Sequence, residues 1–191
     1  MKIAVAVTLV ALMGSCTFVG GLLGLNQVTV DGDSYELSQL ALEYMGSNGE
    51  GSYDIWVNIL SEDYTWGNDV TGNGEWIAMG LTSPQFSLEG GTYTWSSSTK
   101  EFGFAGGGVF VGYDTATSEY DQIVMLTGGE VNVRKTLFGD YVFDFEIDGE
   151  DWDTGGPVDI SGHYRGPIDD EDDLSASVMA PSIQQAAPSL K

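Results

Sequence analysis

The sequence predicts an all-β protein, a single antiparallel β-sandwich or small β-barrel, and three observations carry that expectation. Twenty-seven of the 191 residues are glycine and 12% are aromatic. Glycine at that density breaks helices and marks turns, whereas Tyr, Phe and Trp favour pleated surfaces. Apolar and polar residues alternate with period two in several segments, and turn signals recur roughly every ten residues. A hydrophobic share of 42% is that of a chain with a packed core, and the length suits one domain.

Each element follows from its own stretch. QVTVDGDSYEL places a Val-Asp-Gly-Asp turn between two alternating segments, which is a hairpin signal. SYELSQLALEYMG is the one segment open to either helix or strand. Tyr53, Ile55, Val57 and Ile59 alternate with Asp54, Trp56, Asn58 and Leu60. WIAMGL, GTYTWS, FGFAGGGVFVGY and YDQIVMLTGGEVNVR read as further strands. YVFDFEI is the clearest, with Tyr141, Phe143, Phe145 and Ile147 on one face and Val142, Asp144 and Glu146 on the other. Val158, Ile160 and Tyr164 oppose Asp159, Ser161, His163 and Arg165 in the same way. One apolar face per strand predicts a sheet with one side in water. After Gly166-Pro167 an acidic run gives way to Ser, Ala, Gln and Pro, the composition of a disordered tail.

The amino-terminal end predicts export. Met1-Lys2 followed by IAVAVTLVALMG has the charged and apolar regions of a secretory signal. Leu12-Met13-Gly14-Ser15-Cys16 resembles a bacterial lipobox, an apolar residue and two small ones ahead of cysteine. That resemblance implies diacylglyceryl transfer to the Cys16 thiol, cleavage before it and acylation of the new amino terminus. Two or three acyl chains, at about 0.8 kcal/mol per buried CH₂, anchor a protein durably. Thr17 rather than Asp follows the cysteine, which by resemblance to Gram-negative lipoproteins points to the outer membrane. Two other outcomes stay open: Ile3 to Leu25 is long enough to span a membrane uncleaved, and ordinary secretory cleavage would leave no lipid. The expected organisation is a signal at 1–15, lipidated Cys16 and linker at 16–25, a β domain at 26–168, and a tail at 169–191.

Function classes narrow with charge. Twenty-nine acidic residues against six basic ones give a formal net charge of −23, which repels nucleic acid and excludes DNA and RNA as partners. The lipobox, VTVDGDSYELS, LEGGTYTWS, LTGGEVNVRK and FDFEIDGEDWDTGGPVDISGHYRGPI together resemble uncharacterised all-β lipoproteins of the Bacteroidota. There a V-x-G-x-x-Y-x-L opening, a G-T-Y-x-Y strand, a G-x-V-x-V strand and a closing G-x-Y-x-G recur in this order. The resemblance spans most of residues 26–168 and implies an envelope lipoprotein, with no activity attached.

Three constellations could carry chemistry. Glu146-Ile147-Asp148-Gly149-Glu150 is similar to the E-I-D-x-E core of laminarinase-like glycoside hydrolases. The match implies Glu146 as nucleophile, Asp148 as helper and Glu150 as acid/base. Against it, Asp148-Gly149 has the form of a turn, which would throw Glu150 off the strand face. Asp148, Glu150, Asp151 and Asp153 form a dense acidic loop whose hard oxygens suit calcium, the one cofactor the sequence raises, although the spacing is not that of an EF-hand. Trp56, Trp66, Trp76, Trp95 and Trp152 would stack on sugar rings or pack a core. His163, the only histidine, has no second His or Cys for zinc and reads as a surface residue. GGTYTW and AGGGVF open no helix, so they cradle no phosphate. With no complete catalytic set, the expected role is that of a non-enzymatic, lipid-anchored envelope protein with a binding or structural role, its ligand unnamed by the sequence and a glycan or another envelope protein the candidate partners. A carbohydrate-binding module with a calcium-stabilised loop comes second and a glycoside hydrolase third.

Overall fold

A computed structural model describes residues 25–48, 51–66, 70–96 and 100–172; Cys16 lies outside them. The fold is all-β, as predicted, and its described residues contain no helix. Eleven strands form one sheet: β1 (Gln27–Val30), β2 (Asp33–Glu36), β3 (Gln39–Ser47), β4 (Tyr53–Leu60), β5 (Asn73–Ser83), β6 (Gly91–Trp95), β7 (Gly103–Asp114), β8 (Gln122–Lys135), β9 (Tyr141–Asp151), β10 (Pro157–Gly166) and β11 (Asp170–Asp172). Their spatial order is β11-β3-β4-β5-β7-β6-β8-β9-β10-β1-β2, with β7 also paired directly to β8. All pairings are antiparallel except β6–β7 and β11–β3. The hairpin β1–β2 turns at Asp31 and Gly32, both at positive φ (49° and 96°), the geometry a two-residue loop demands.

One apolar core joins strands from the whole sheet: Val28, Leu40, Ile55, Met79, Val109, Val133, Phe143 and Ile160 all belong to it. These side chains are buried on one face of the sheet with no helix among the described residues to cover them, so the sheet covers itself by coiling over, sandwich-like. The sheet is not closed, and β2 and β11 are its edges. Only Leu37 and Ser38 separate β2, at one edge, from β3 beside the other. Three Cα steps reach about 11 Å, so the two edges lie side by side there. Ser38 N–H donates to Leu60 O at 2.8 Å and Leu37 N–H to Asn26 O at 3.0 Å, tying the link to both ends of the sheet.

Three expectations need correction. The outer face is not uniformly wet. Leu60, Tyr64, Val70, Trp76, Ala78, Phe110, Tyr113 and Ile123 form a second buried cluster, partly made by the connection between β4 and β5 folding over the outside of the sheet. Trp76 is its centre, 6.0 Å from the rings of Tyr64 and Phe110, with its Nε1–H donating to Asn58 Oδ1 at 2.9 Å. Asp148-Gly149 is not a turn, because β9 runs unbroken to Asp151. Gly149 is there for space: a Cβ at that position would press on Val124 and come within 3.1 Å of Ile160 Cδ1. Finally, the sheet takes in residues past Ile168. Asp169 N–H donates to Leu40 O and its carboxylate accepts from Leu40 N–H, both at 2.8 Å, and β11 then pairs with Ala41 to Glu43. An edge strand offers unpaired backbone groups whatever side chains the incoming segment carries.

Because the outer cluster is a packed core in its own right, Trp76→Ala should cost about 3–5 kcal/mol, the usual range for deleting a buried aromatic side chain. Chemical denaturation measures this, and a loss under about 1 kcal/mol would mean that the cluster is loosely packed.

Candidate functional site

The outward face of β8, β9 and β10 collects the residues that the sequence singled out. Alternation along β9 buries Phe143, Phe145, Ile147 and Gly149 and turns Asp144, Glu146, Asp148 and Glu150 outward. Glu146, Asp148 and Glu150 therefore do share one face, each exposed. Cross-strand register sets their neighbours. Glu130 of β8 and Ser161 of β10 flank Glu146, and Asp159 of β10 stands opposite Asp148. Two like-charged pairs, Glu130 with Glu146 and Asp148 with Asp159, thus face each other, an arrangement that costs stability.

Between these rows lies an open depression of ≈ 640 Å³, lined by Gly129, Glu130, Glu146, Ile147, Asp148, Asp159, Ile160 and Ser161. Glycines make it. The ladder between β8 and β9 is irregular between Leu126 and Gly128, and Gly129 follows at φ 98°. A Cβ on Gly128 would lie 2.6 Å from an Asp148 carboxylate oxygen. β8 thus presents bare backbone where the acids of β9 need room.

One step along β9 the charge is balanced instead. Asp144 forms an ion pair with Arg134, and His163 Nδ1–H donates to its other oxygen at 2.6 Å. His163 stands directly across the strand pair from Asp144 and is only 8% exposed, so it is not the surface histidine the sequence predicted. Its outward position is that of a polar-face residue, but the ion pair and the neighbouring strand cover it. Partial burial of Asp144 would raise its pKa, but the hydrogen bonds from His163 and Arg134 and their charges outweigh this and hold it below the ordinary 3.8.

The acidic loop does not gather its carboxylates. Asp151 occupies the opposite side of β9 from Asp148 and Glu150 and is committed to the turn. It accepts from Thr154 N–H at 2.8 Å, Thr154 Oγ1–H at 2.7 Å and Gln122 Nε2–H at 3.0 Å. Those bonds, the Thr154 hydroxyl first, hold its pKa low. Asp153 accepts from the Tyr120 hydroxyl at 3.4 Å. Among the described residues no three of His, Cys, Asp or Glu are grouped to hold a metal ion. The tryptophans form no flat strip. Trp76 is buried, Trp56 and Trp66 pack on the outer cluster, Trp95 sits against Phe104 at 5.0 Å, and Trp152 at the β9–β10 turn is 38% exposed.

Compared with protein-family models, with curated proteins and with solved structures, the chain finds no match in any of the three. The site therefore rests on its own geometry. Its carboxylates occupy the outside of a coiled sheet whose inside is filled by Phe143, Phe145 and Ile147, where the laminarinase-like arrangement would have them line a sugar groove.

The two kinds of acid should respond oppositely to neutralisation. A folded-state pKa below the unfolded one gives stability that is present above the unfolded value and lost as pH falls through the folded one. Asp144→Asn should therefore lower the melting temperature at pH 7 and flatten the loss of stability below about pH 4. Glu146→Gln removes a like-charged cross-strand contact and should stabilise by about 0.2–1 kcal/mol, more at low salt. Thermal denaturation at two ionic strengths reads both, and the opposite signs would contradict the charge map.

Proposed function

We propose that the chain is a non-enzymatic cell-envelope protein, held to a membrane by lipid on Cys16 and acting by binding through its one β domain. The observation that supports this most is where the domain begins. Asn26 Nδ2–H donates to Arg165 O at 3.0 Å, and Arg165 N–H donates to Asn26 Oδ1 at 2.8 Å. The chain thus leaves a fixed point on the fold, ten residues from the lone cysteine of a lipobox-like sequence. A lipid at Cys16 would hold that end toward the bilayer within about 35 Å and leave the outer face of β8–β10 free for an envelope protein or a glycan. By the lipobox and Thr17 the membrane is the outer membrane of a Gram-negative cell. Binding is favoured over hydrolysis because the depression that Glu146 and Asp148 line is open on the outer surface, and Glu150, the acid/base of the laminarinase-like reading, does not line it.

The test is the intact mass of the detergent-extracted protein from a host with lipoprotein processing, beside Cys16→Ala. Cleavage before Cys16 with added diacylglyceryl and acyl groups, absent from the variant, is expected. An unmodified full-length mass would overturn the proposal.

A further inference from the structure

The end of the domain that carries Asn26 also carries the β8–β9 hairpin, and its tip is the most exposed apolar surface among the described residues. Leu137 and Phe138 stand 102% and 90% exposed. They are held out by a closed turn. Thr136 N–H donates to Asp140 O at 2.8 Å, and Thr136 Oγ1 accepts from Phe138 N–H at 3.3 Å and Asp140 N–H at 3.1 Å. Leu25, half exposed, lies beside Asn26 on the same end.

Charge singles out this end too. The whole chain has six basic residues, of which Arg134, Lys135 and Arg165 all flank the hairpin. Arg134 pairs with Asp144 and Arg165 with Asp140, while Lys135 lies with its Nζ 4.8 Å from the centre of the Tyr141 ring and faces no carboxylate in an ion pair among the described residues. With Arg134 and Arg165 balanced by Asp144 and Asp140, Lys135 is the surplus cation here, so an anionic surface is repelled less by this end than by the acidic rows of β8–β10. An apolar tip ringed by Arg and Lys has the chemistry of a segment that enters the interface of a bilayer while its cations stay at the headgroups. The length of chain ahead of Asn26 supplies the reach. Arg165, the partner of Asn26, pairs with Val142, and the tip stands about four residues, roughly 13 Å, beyond that level. Cys16 is ten residues from Asn26, a span that reaches past the tip.

We propose that Leu137 and Phe138 are a second membrane contact, inserting into the phospholipid surface that holds the Cys16 lipid, with Arg134, Lys135 and Arg165 at headgroup level. This rests on the lipid-anchored reading above and adds an orientation to it: the acidic face of β8–β10 rises from the membrane, and the loops at residues 115–121 and 152–156 point away.

The lipid-processed full chain carrying Phe138→Cys has one free thiol, since Cys16 is blocked. It is labelled with a nitroxide and placed in vesicles of phosphatidylethanolamine and phosphatidylglycerol. Ala116→Cys, at the opposite end, is labelled in parallel. Power saturation should show the label at 138 relaxed several-fold more by oxygen than by an aqueous nickel chelate, with the order reversed at 116. Equal access of the chelate to both labels would overturn the contact. Spin–spin broadening at 138 would overturn it as well, because a second copy of the chain would then cover the tip. Intact mass of the same sample reads the anchor separately. If it shows no lipid, the anchor proposal fails, and the Phe138→Cys label in a Cys16→Ala background, added to the same vesicles, still decides the hairpin by the same criterion.

Discussion

A sheet has two faces, and a chain that makes only one sheet must use that sheet to cover itself. Eleven strands in a single order bury a common core here because the sheet coils until its halves meet. The two-residue link of Leu37 and Ser38 shows how tight that constraint is, since it joins strands at opposite ends of the order. Much else follows. The edges are adjacent, so β11 can run from the end of β10 onto β3 and cover one of them. The inner face is filled by apolar side chains, so Glu130, Asp144, Glu146, Asp148, Glu150 and Asp159 stand outside, and Asp151, on the other side of β9, is taken up by the turn at its end. The outer face over β4, β5, β7 and β8 would be an apolar patch, and the β4–β5 connection covers it with Tyr64 and Val70.

The same coil gives the domain a polarity. β8 is 14 residues long and carries the hairpin tip at one end and the connection from β7 at the other. Asn26, Arg165 and the basic pair Arg134-Lys135 lie at the tip end. Carboxylates in like-charged rows fill the middle, tolerated because they are in water and screened by salt. The arrangement makes physical sense for a domain tethered at its amino terminus: the end nearest the tether is the one an anionic surface repels least.

Much of the fold was legible in the sequence because period-two alternation is a direct imprint of a strand. Every inward residue expected of YVFDFEI is in the core, and the Asp31-Gly32 turn sits where an Asp-Gly pair places it. Even the two-sided burial of β5 had a signal, since WIAMGL is apolar without alternation, the pattern of a strand covered on both faces. Other features had no local imprint. Gly149 looks like a turn residue because sequence does not distinguish a glycine required by φ from one required by crowding against Val124 and Ile160. The burial of His163 depends on Asp144 and Arg134, which only strand register brings near. The capture of Asp170–Asp172 by β3 is a main-chain event that an acidic composition conceals. At the site, the shared face of Glu146, Asp148 and Glu150 was implicit in their even spacing once β9 is continuous. Their like-charged partners Glu130 and Asp159 were not, because that pairing lies across strands.

The central proposal is that the domain is anchored to a membrane and meets it with the Asn26 and Phe138 end. Neutron reflectometry of the lipid-processed chain on a supported phospholipid bilayer tests it most directly, by reading protein density along the membrane normal. The account predicts protein density that begins within the headgroup layer, without an intervening water layer, and extends roughly 45 Å outward, the length of β8. A water layer between headgroups and protein would contradict it, because the lipid alone would then hold the domain and the hairpin would touch nothing.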